Sequence, residues 1–278
     1  MNPEILARWI EIVPIGFLSG LLAGAFGIGG GIISVPLIRH VLGLTPHEAV
    51  GSSLAMILPT AVIGVFNYLK QGKTLPKLSL ICSGPAIIGT IVASAASHYI
   101  HGQILMLMLA ALMVLVGVDF ATGFGNKLKK ARTPEVVSGN EPAAEQTDDA
   151  VPFVLNQRTV LTAASIGIIV GLLSGLLGIG GGFIMVPAFC YFLNLPLKMA
   201  FGTSLIVVAL VALPGTVVHA FHKHVLPNVV LLMLLGSLPG AWLGSYFSLK
   251  AKDRVLRMIF GALLLVLAVV FAHRELNL

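Results

Sequence analysis

Long apolar segments alternate with short polar connections along this chain and predict two groups of five helices. In the first half these segments cover roughly residues 9–28, 32–43, 47–69, 77–99 and 102–122. In the second half they cover roughly residues 160–179, 183–194, 197–221, 227–248 and 254–272. Most of them approach the ~20 residues that an α-helix needs to cross a hydrocarbon core, whereas the second segment of each group is much shorter. The pattern predicts an all-α integral membrane protein.

A polar stretch, residues 123–158, separates the two groups. It combines Lys and Arg with Glu and Asp, Pro, Gly and Ser, so it has little apolar surface to bury. We interpret it as a flexible linker. The predicted organisation is an N-terminal transmembrane repeat over residues 1–122, a linker over residues 123–158 and a C-terminal transmembrane repeat over residues 159–278.

The two halves repeat each other in sequence. Residues 15–36 read IGFLSGLLAGAFGIGGGIISVP, and residues 166–187, at a shift of 151, read IGIIVGLLSGLLGIGGGFIMVP. The same shift aligns residues 51–54 (GSSL) with residues 202–205 (GTSL), and an LP pair at Leu75 with one at Leu226. Duplicated halves with glycine-interrupted apolar segments are typical of secondary transporters.

Composition excludes a water-soluble fold, because only 10% of the residues are charged, 57% are hydrophobic and the mean hydropathy is +0.99. The net charge of +6 comes from basic residues in short loops, which favours a role in membrane topology over nucleic-acid binding. Cys82 and Cys190 lie one in each half, within apolar segments. This spacing indicates neither a disulfide framework nor a metal site, and nothing in the sequence calls for a cofactor.

The basic residues also predict the orientation. With five segments crossing in each half, the halves are oppositely oriented, and one side collects most of the 17 basic residues: Lys70, Lys73, Lys77, Lys127, Lys129, Lys130, Arg132, Arg158, Lys198, Lys250, Lys252, Arg254 and Arg257. Four crossings per half would divide the charges more evenly. The positive-inside rule therefore predicts inverted repeats, a cytoplasmic linker and both termini outside the cytoplasm.

The glycine triplets after the first segment of each half are the main candidate site. If the short second segment returns to the side where the first began, Gly29, Gly30 and Gly31 lie near mid-membrane, and Gly180, Gly181 and Gly182 reach it from the other face. The half-helices that start there would point their N–H groups and positive dipole ends at the centre, which suits an anion. The alternative is that the glycines only permit a tight turn and close packing.

Other polar residues in apolar segments are weaker candidates. Ser52, Ser53, Thr203 and Ser204 match across the repeat and could line a cavity, or could bond back to their own helices. Asn67, His219 and Arg39 are further candidates for substrate binding, and each has an ordinary structural role as its alternative. Asp119 is the one acid well inside an apolar segment, which suggests proton coupling, although its repeat counterpart is Val270.

Both glycine motifs, the two G-[ST]-S-L segments and the charged central loop resemble the TauE/SafE family, the sulfite exporter or toluene sulfonate uptake permeases. This resemblance covers nearly the whole chain. It implies a bacterial-type inner-membrane transporter, here expected to export a small sulfur-containing anion such as sulfite or an organosulfonate. It reaches the glycine triplets, the prolines at 36 and 187 and the G-[ST]-S-L segments, but not Arg39, Asp119 or His219.

Three alternatives stay open. The protein could carry another small anion, or it could form a channel-like anion pathway. An intramembrane hydrolase using Ser174 and His219 belongs to a different class, but neither residue stands in a nucleophile motif, so we expect no enzyme activity. The expected partners are the small anionic substrate and the lipid bilayer, and the sequence leaves open whether copies of this chain form a homo-oligomer.

Overall fold

A computed structural model describes residues 8–122 and 156–276, and within these ranges the chain forms ten α-helices without a β-strand. The first half contains α1 (Trp9–Phe26), α2 (Gly31–Leu42), α3 (Pro46–Lys70), α4 (Pro76–Ser97) and α5 (Gly102–Thr122). The second half contains α6 (Gln157–Leu177), α7 (Gly182–Phe192), α8 (Leu197–Phe221), α9 (Pro227–Lys250) and α10 (Asp253–Leu276). The all-α prediction is confirmed. Most of the predicted linker lies outside the described residues, and its last two residues begin α6.

Local sequence signals set several helix ends. The hydroxyl of Thr45 accepts a hydrogen bond from the N–H of Glu48 (3.3 Å), and the Glu48 carboxylate accepts one from the N–H of Thr45 (2.9 Å). This reciprocal capping box, with Pro46 as the first helical residue, starts α3 where the sequence predicts. Proline also begins α4 and α9, where its missing N–H costs no intrahelical bond.

The two halves exchange partners in the bundle. Helix α1 packs on α9, and its repeat counterpart α6 packs on α4. Glycines make both contacts possible: a Cβ atom on Gly20 would lie 2.2 Å from the backbone oxygen of Ser237, and one on Gly171 would lie 2.1 Å from that of Ala86. Because each fourth helix is covered by a first helix from the other half, neither half is a separate packing unit.

Helices α3 and α8 pair at the centre, and α5 pairs with α10. The first turns of α3 lie against the loop that follows α8, since a Cβ on Gly51 would touch the backbone of His224. Likewise a Cβ on Gly202, near the start of α8, would touch the backbone of Lys73 in the loop after α3. Helices α3 and α8 are therefore antiparallel to each other. The inverted arrangement of the repeats and their orientation in a membrane stay predictions.

Seven of the described helices are long and apolar enough to cross a membrane, and α2 and α7 are shorter apolar helices. Large apolar side chains such as Leu80, Ile88 and Leu235 face outward. Inside the bundle, every buried polar or charged side chain in the described part is Ser or Thr, apart from His219. Small side chains allow the close helix contacts of membrane bundles. Together with the seven helices of membrane-crossing length and the outward apolar side chains, this identifies a multi-pass membrane protein.

Candidate functional site

Each glycine break is a short connection in left-handed backbone conformation. Gly27 (φ 68°) ends α1, Gly29 (φ 78°) and Gly30 (φ 84°) form the turn, and Gly31 begins α2. The corresponding angles are 68°, 71° and 72° at Gly178, Gly180 and Gly181. Residues with a Cβ rarely adopt these angles, which explains why both copies retain glycine.

The two breaks meet each other. A Cβ on Gly31 would lie 2.5 Å from the Cα of Ile179, and one on Gly182 would lie 2.4 Å from the backbone oxygen of Gly27. Gly29 and Gly180 both face the side chains of Ile57 and Val208, near the midpoints of the 25-residue helices α3 and α8. The predicted glycine triplets thus come together halfway along the bundle. We call this region the junction.

The half-helices start at the junction with their backbone donors buried. Gly30 and Gly181 are the N-cap residues of α2 and α7, and neither helix has a side-chain hydrogen bond at its cap. The residues from Gly27 to Gly31 and from Gly178 to Gly182 are all buried. An α-helix leaves its first N–H groups without intrahelical partners, and its N-terminus carries a partial positive charge. Two such ends therefore lie next to each other inside the protein.

Two buried hydroxyls beside the breaks lack a partner. Ser19 Oγ and Ser174 Oγ have no hydrogen bond among the described residues, although both serines are fully buried. A Cβ on Gly30 would lie 2.8 Å from the backbone oxygen of Ser19, and one on Gly181 would lie 3.5 Å from the Ser174 Cβ. Ser19 was not among the residues predicted from sequence, and Ser174 was considered there only as a nucleophile. No sequence signal marks either, because their repeat counterparts are Val170 and Ala23.

The G-[ST]-S-L segments hold the opposite half in place. The hydroxyl of Ser52 accepts a hydrogen bond from the Leu226 N–H, and that of Thr203 accepts one from the Leu75 N–H, both over 3.1 Å. These donors lie immediately before the helix-starting prolines of α9 and α4. The duplicated GSSL, GTSL and LP motifs are therefore partners, and their pairing accounts for Ser52 and Thr203 without a bound anion.

The second serines of these segments lie closer to the breaks. Ser204 Oγ donates to the backbone oxygen of Gly27 over 2.7 Å and therefore satisfies a carbonyl at the end of α1. Ser53 Oγ lies 2.6 Å from Ser34 Oγ, which belongs to the first turn of α2. Both hydroxyls already have partners within the protein.

The remaining candidates are held at other places. Arg39 donates to the backbone oxygen of Leu44 (3.4 Å), near the end of α2. Asn67 donates to the backbone oxygen of Trp242 (3.0 Å) and to Ser245 Oγ (2.8 Å), between α3 and α9. Asp119 accepts a hydrogen bond of 2.7 Å from the Tyr191 hydroxyl. None of these hydrogen bonds involves a residue of the glycine breaks.

His219 belongs to a group of five histidines that was not predicted from sequence. His47, His98, His219, His222 and His224 lie together where α3 begins and α4 and α8 end, and we call them the histidine cluster. Their imidazole centroids are 4.9–5.8 Å apart in the pairs 47–224, 98–222, 98–224, 219–224 and 222–224. The residues come from three separate parts of the chain, so local sequence carries no sign of it. In the described part of the chain, no group of three or more His, Cys, Asp or Glu is arranged to hold a metal ion.

The Ser174 and His219 pair does not form a catalytic dyad in this structure. Ser174 Oγ and His219 Nε2 each lack a hydrogen bond to any described residue, so they are not bonded to each other. The His219 imidazole lies close to the backbone of Gly175, the residue that follows Ser174. A hydrolase would need a base within hydrogen-bond reach of its serine.

Duplicated, interlocked halves, membrane-crossing helices and buried helix ends at the centre define the class as a membrane transporter. The sequence profile of the sulfite exporter TauE/SafE family matches residues 12–271. The chain belongs to this family, and the resemblance found in the sequence is confirmed.

Similar proteins occur in bacteria and archaea. A probable membrane transporter protein of Xylella fastidiosa is 28% identical over 264 residues, which are 94% of this chain and 92% of that protein. The probable membrane transporter protein YunE of Bacillus subtilis is 27% identical over 275 residues, covering 93% and 95% of the two chains. A probable membrane transporter protein of Methanocaldococcus jannaschii is 25% identical over 277 residues, 94% of each chain. No solved structure matches this chain.

Proposed function

We propose that this protein exports a small sulfur-containing anion, such as sulfite or an organosulfonate, and binds it at the junction. The observation that carries the proposal is the meeting of two uncapped helix N-termini in the buried centre of the bundle. The family description supports the sulfur-containing class of substrate. Both halves are needed to form the proposed site, since each half supplies one helix N-terminus.

Electrostatics favour an anion at this place. Each N-terminus provides oriented N–H donors and a partial charge of about half a unit, worth about 0.3–1 kcal/mol at exposed sites and up to ~2 kcal/mol when partly buried. Two ends acting on one anion would provide a few kcal/mol, which suits a substrate that must also be released. No full positive charge is needed.

The unpartnered hydroxyls of Ser19 and Ser174 complete the proposed site. A hydroxyl that has no partner among the described residues can donate to a sulfite or sulfonate oxygen without losing another bond. Hydrogen bonds to charged groups contribute about 1.5–3 kcal/mol. Ile57 and Val208 present apolar surface beside the glycines, which is compatible with the hydrocarbon part of an organosulfonate.

Export is the direction that the membrane potential favours. A negative cell interior repels an anion, and the potential contributes about 2.3 kcal/mol per charge for each 100 mV. An exporter of this kind therefore needs no further energy source, whereas an importer would need co-transported cations. We accordingly propose a carrier in the bacterial-type inner membrane with both termini outside.

The test of the site uses Ser19→Ala and Ser174→Ala in proteoliposomes with radiolabelled sulfite and methanesulfonate. Each variant should raise the KM for anion flux about tenfold, which corresponds to about 1.4 kcal/mol, without lowering thermal stability. The matched control is Ser83→Ala, since the Ser83 hydroxyl is already bonded to the backbone oxygen of Ser79. Unchanged KM values in both serine variants would remove these hydroxyls from the site.

A second test addresses the glycine breaks. Gly30→Ala should abolish flux, because its Cβ would lie 2.8 Å from the backbone oxygen of Ser19. Gly43→Ala is the control, since Gly43 is also left-handed (φ 68°) but has nothing within 4 Å of its Cβ position. Saturation of the flux and counterflow of labelled anion would identify a carrier and exclude a channel-like pathway. If Gly30→Ala transports as well as Gly43→Ala does, the break is not part of the route.

A further inference from the structure

The histidine cluster runs from the surface into the bundle. His98 and His222 are exposed, His47 and His224 are half-buried, and His219 has only 1% of its surface exposed. Each step along the series His222, His224 and His219 is a direct ring contact, with centroids 5.8 and 5.6 Å apart. An imidazole can bind and release a proton near neutral pH, so a continuous series of them has the chemistry of a proton route.

Hydrogen bonds fix the hydrogen-bearing nitrogen in two of the partly or fully exposed rings, His47 and His222. His47 Nε2 lies 3.0 Å from the backbone oxygen of Ser97, and His222 Nδ1 lies 2.9 Å from that of Val218. A carbonyl oxygen only accepts, so these nitrogens carry the hydrogen in the neutral rings and the other nitrogen of each ring holds a lone pair. His47 and His222 therefore each keep one ring nitrogen that can accept a hydrogen bond.

The inner pair is arranged for transfer. His224 Nδ1 and His219 Nδ1 are 3.4 Å apart, so one of them must donate to the other. One added proton can be shared in this contact, whereas protonation of both rings would set two N–H groups against each other. His219 Nε2, on the other side of its ring, has no hydrogen bond to a described residue. The imidazole as a whole lies close to the backbone of Gly175, the residue after Ser174.

The repeat shows that this arrangement belongs to one end of the protein. The positions equivalent to His47, His219 and His224 hold Lys198, Tyr68 and Lys73. The Tyr68 hydroxyl donates a hydrogen bond to the Gly24 oxygen (3.0 Å) and can accept one from the Ser248 hydroxyl (2.9 Å). The Tyr68 hydroxyl thus has hydrogen-bond partners, whereas its repeat counterpart His219 has a ring nitrogen, Nε2, without a hydrogen bond to a described residue.

We propose that the histidine cluster is a proton route that ends at His219 and couples anion transport to proton movement. A proton on His224 Nδ1 passes to His219 Nδ1: the N–H bond of His224 breaks, one forms on His219, and His224 becomes neutral. The Nε2 proton of the His219 imidazolium then passes to the bound anion or to water that accompanies it. This coupling rests on the proposed anion transport, but the route itself does not.

The charged and titratable groups around the route come from α3, from the end of α4 and from the loop between α8 and α9. Helix α3 contributes His47 and Glu48, and the end of α4 contributes His98 and the neighbouring Tyr99. The loop between α8 and α9 contributes His222, Lys223 and His224, while α6 presents the backbone of Gly175. Among the described residues, Glu48 is the acid that acts on His224 and favours its charged form. Its carboxylate can balance a proton in transit.

The first experiment needs no anion. In detergent micelles with 15N-labelled histidine, the exchange of the His219 imidazole proton with water is measured by NMR between about pH 5 and pH 8, the range in which an imidazole titrates. The His219 signal is assigned by its loss in His219→Gln. We expect the exchange to slow at least tenfold in His224→Gln and to stay unchanged in His101→Gln, an exposed histidine of the neighbouring loop. Equal exchange in His224→Gln and the native protein would overturn the route.

The second experiment tests coupling in proteoliposomes that contain a pH-sensitive dye, with the potential clamped and a methanesulfonate gradient imposed. Methanesulfonate stays ionised throughout, so any proton movement belongs to the protein. We expect a pH change in the native protein and in His101→Gln, and at least a fivefold smaller change at comparable anion flux in His219→Gln. Methanesulfonate flux without proton movement in the native protein would refute coupling. Absence of both methanesulfonate and sulfite flux would instead refute the proposed function, and the exchange measurement would still decide the route.

Discussion

The backbone N–H of Leu226 donates a hydrogen bond to the hydroxyl of Ser52 across 3.1 Å, and so ties the start of α9 to the first turns of α3. The repeat reproduces this contact between Leu75 and Thr203 at the other end of the bundle. Each half thus holds a loop of the other half through a hydrogen bond from a backbone N–H to a side-chain hydroxyl.

Loss of either hydroxyl should destabilise the fold. We expect Ser52→Ala and Thr203→Ala each to lower the free energy of unfolding by about 1 kcal/mol, because a partly buried backbone N–H would lose its acceptor. Thermal unfolding in detergent micelles measures the effect. Ser52→Thr and Thr203→Ser retain the hydroxyl and serve as controls. The alanine variants should be additive, since the two sites lie at opposite ends; native-like melting of both would contradict the assigned role.

The glycine contacts between first and fourth helices should be intolerant of a methyl group. Gly20→Ala and Gly171→Ala would place Cβ atoms 2.2 and 2.1 Å from backbone oxygens, so the helices must separate. We expect a loss of about 1–3 kcal/mol in the free energy of unfolding for each. Gly64→Ala is the matched control, because its Cβ would lie 3.3 Å from the movable end of Leu205. Equal stability of Gly20→Ala and Gly64→Ala would show that the α1 and α9 contact is looser than described.

Stability should depend on pH through His224. Burial lowers the pKa of this loop histidine below its ordinary value, and the neighbouring His47, His222 and His98 lower it further. The unfolded chain then binds more protons than the folded one as the pH falls below about 6.5. Stability should therefore be full above that pH and should decline on acidification.

A melting temperature measured from about pH 7.5 down to about pH 5 tests this expectation. His224→Gln should flatten the decline, and His101→Gln should leave it unchanged. A native protein whose melting temperature rises on acidification would contradict the direction of the shift.

The predicted orientation can be tested at two loop positions, one in each half. Lys223 directly follows residue 222, the repeat counterpart of Gln71. Gln71 and Lys223 are exposed and lie at opposite ends of the bundle. A membrane-impermeant maleimide should label Lys223→Cys in intact cells, but Gln71→Cys only after permeabilisation. The native cysteines, Cys82 and Cys190, are buried and should stay unreactive. The opposite labelling pattern would reverse the topology and place the linker outside.

Several features could be predicted because they depend on neighbouring residues. The run of apolar residues predicts the third segment at residues 47–69. In the structure, α3 covers Pro46–Lys70 and has the Thr45 capping box at its start, so the two agree within one residue at each end. The glycine triplets were identified because a left-handed turn favours glycine whatever surrounds it. The repeat shift then assigned each of these elements twice.

Sequence alone therefore determined the membrane-protein class, the number and order of helical segments, the duplication and the two glycine breaks. Only the tertiary structure decided that Ser52 and Thr203 bind loops of the opposite half, and that five histidines from three parts of the chain meet. It also decided that the buried hydroxyls of Ser19 and Ser174 have no hydrogen bond to a described residue. Hydropathy and turn preferences are properties of residues close together in sequence. The partner of a buried serine or histidine is set by which helices pack side by side, and in this protein those helices come from opposite halves.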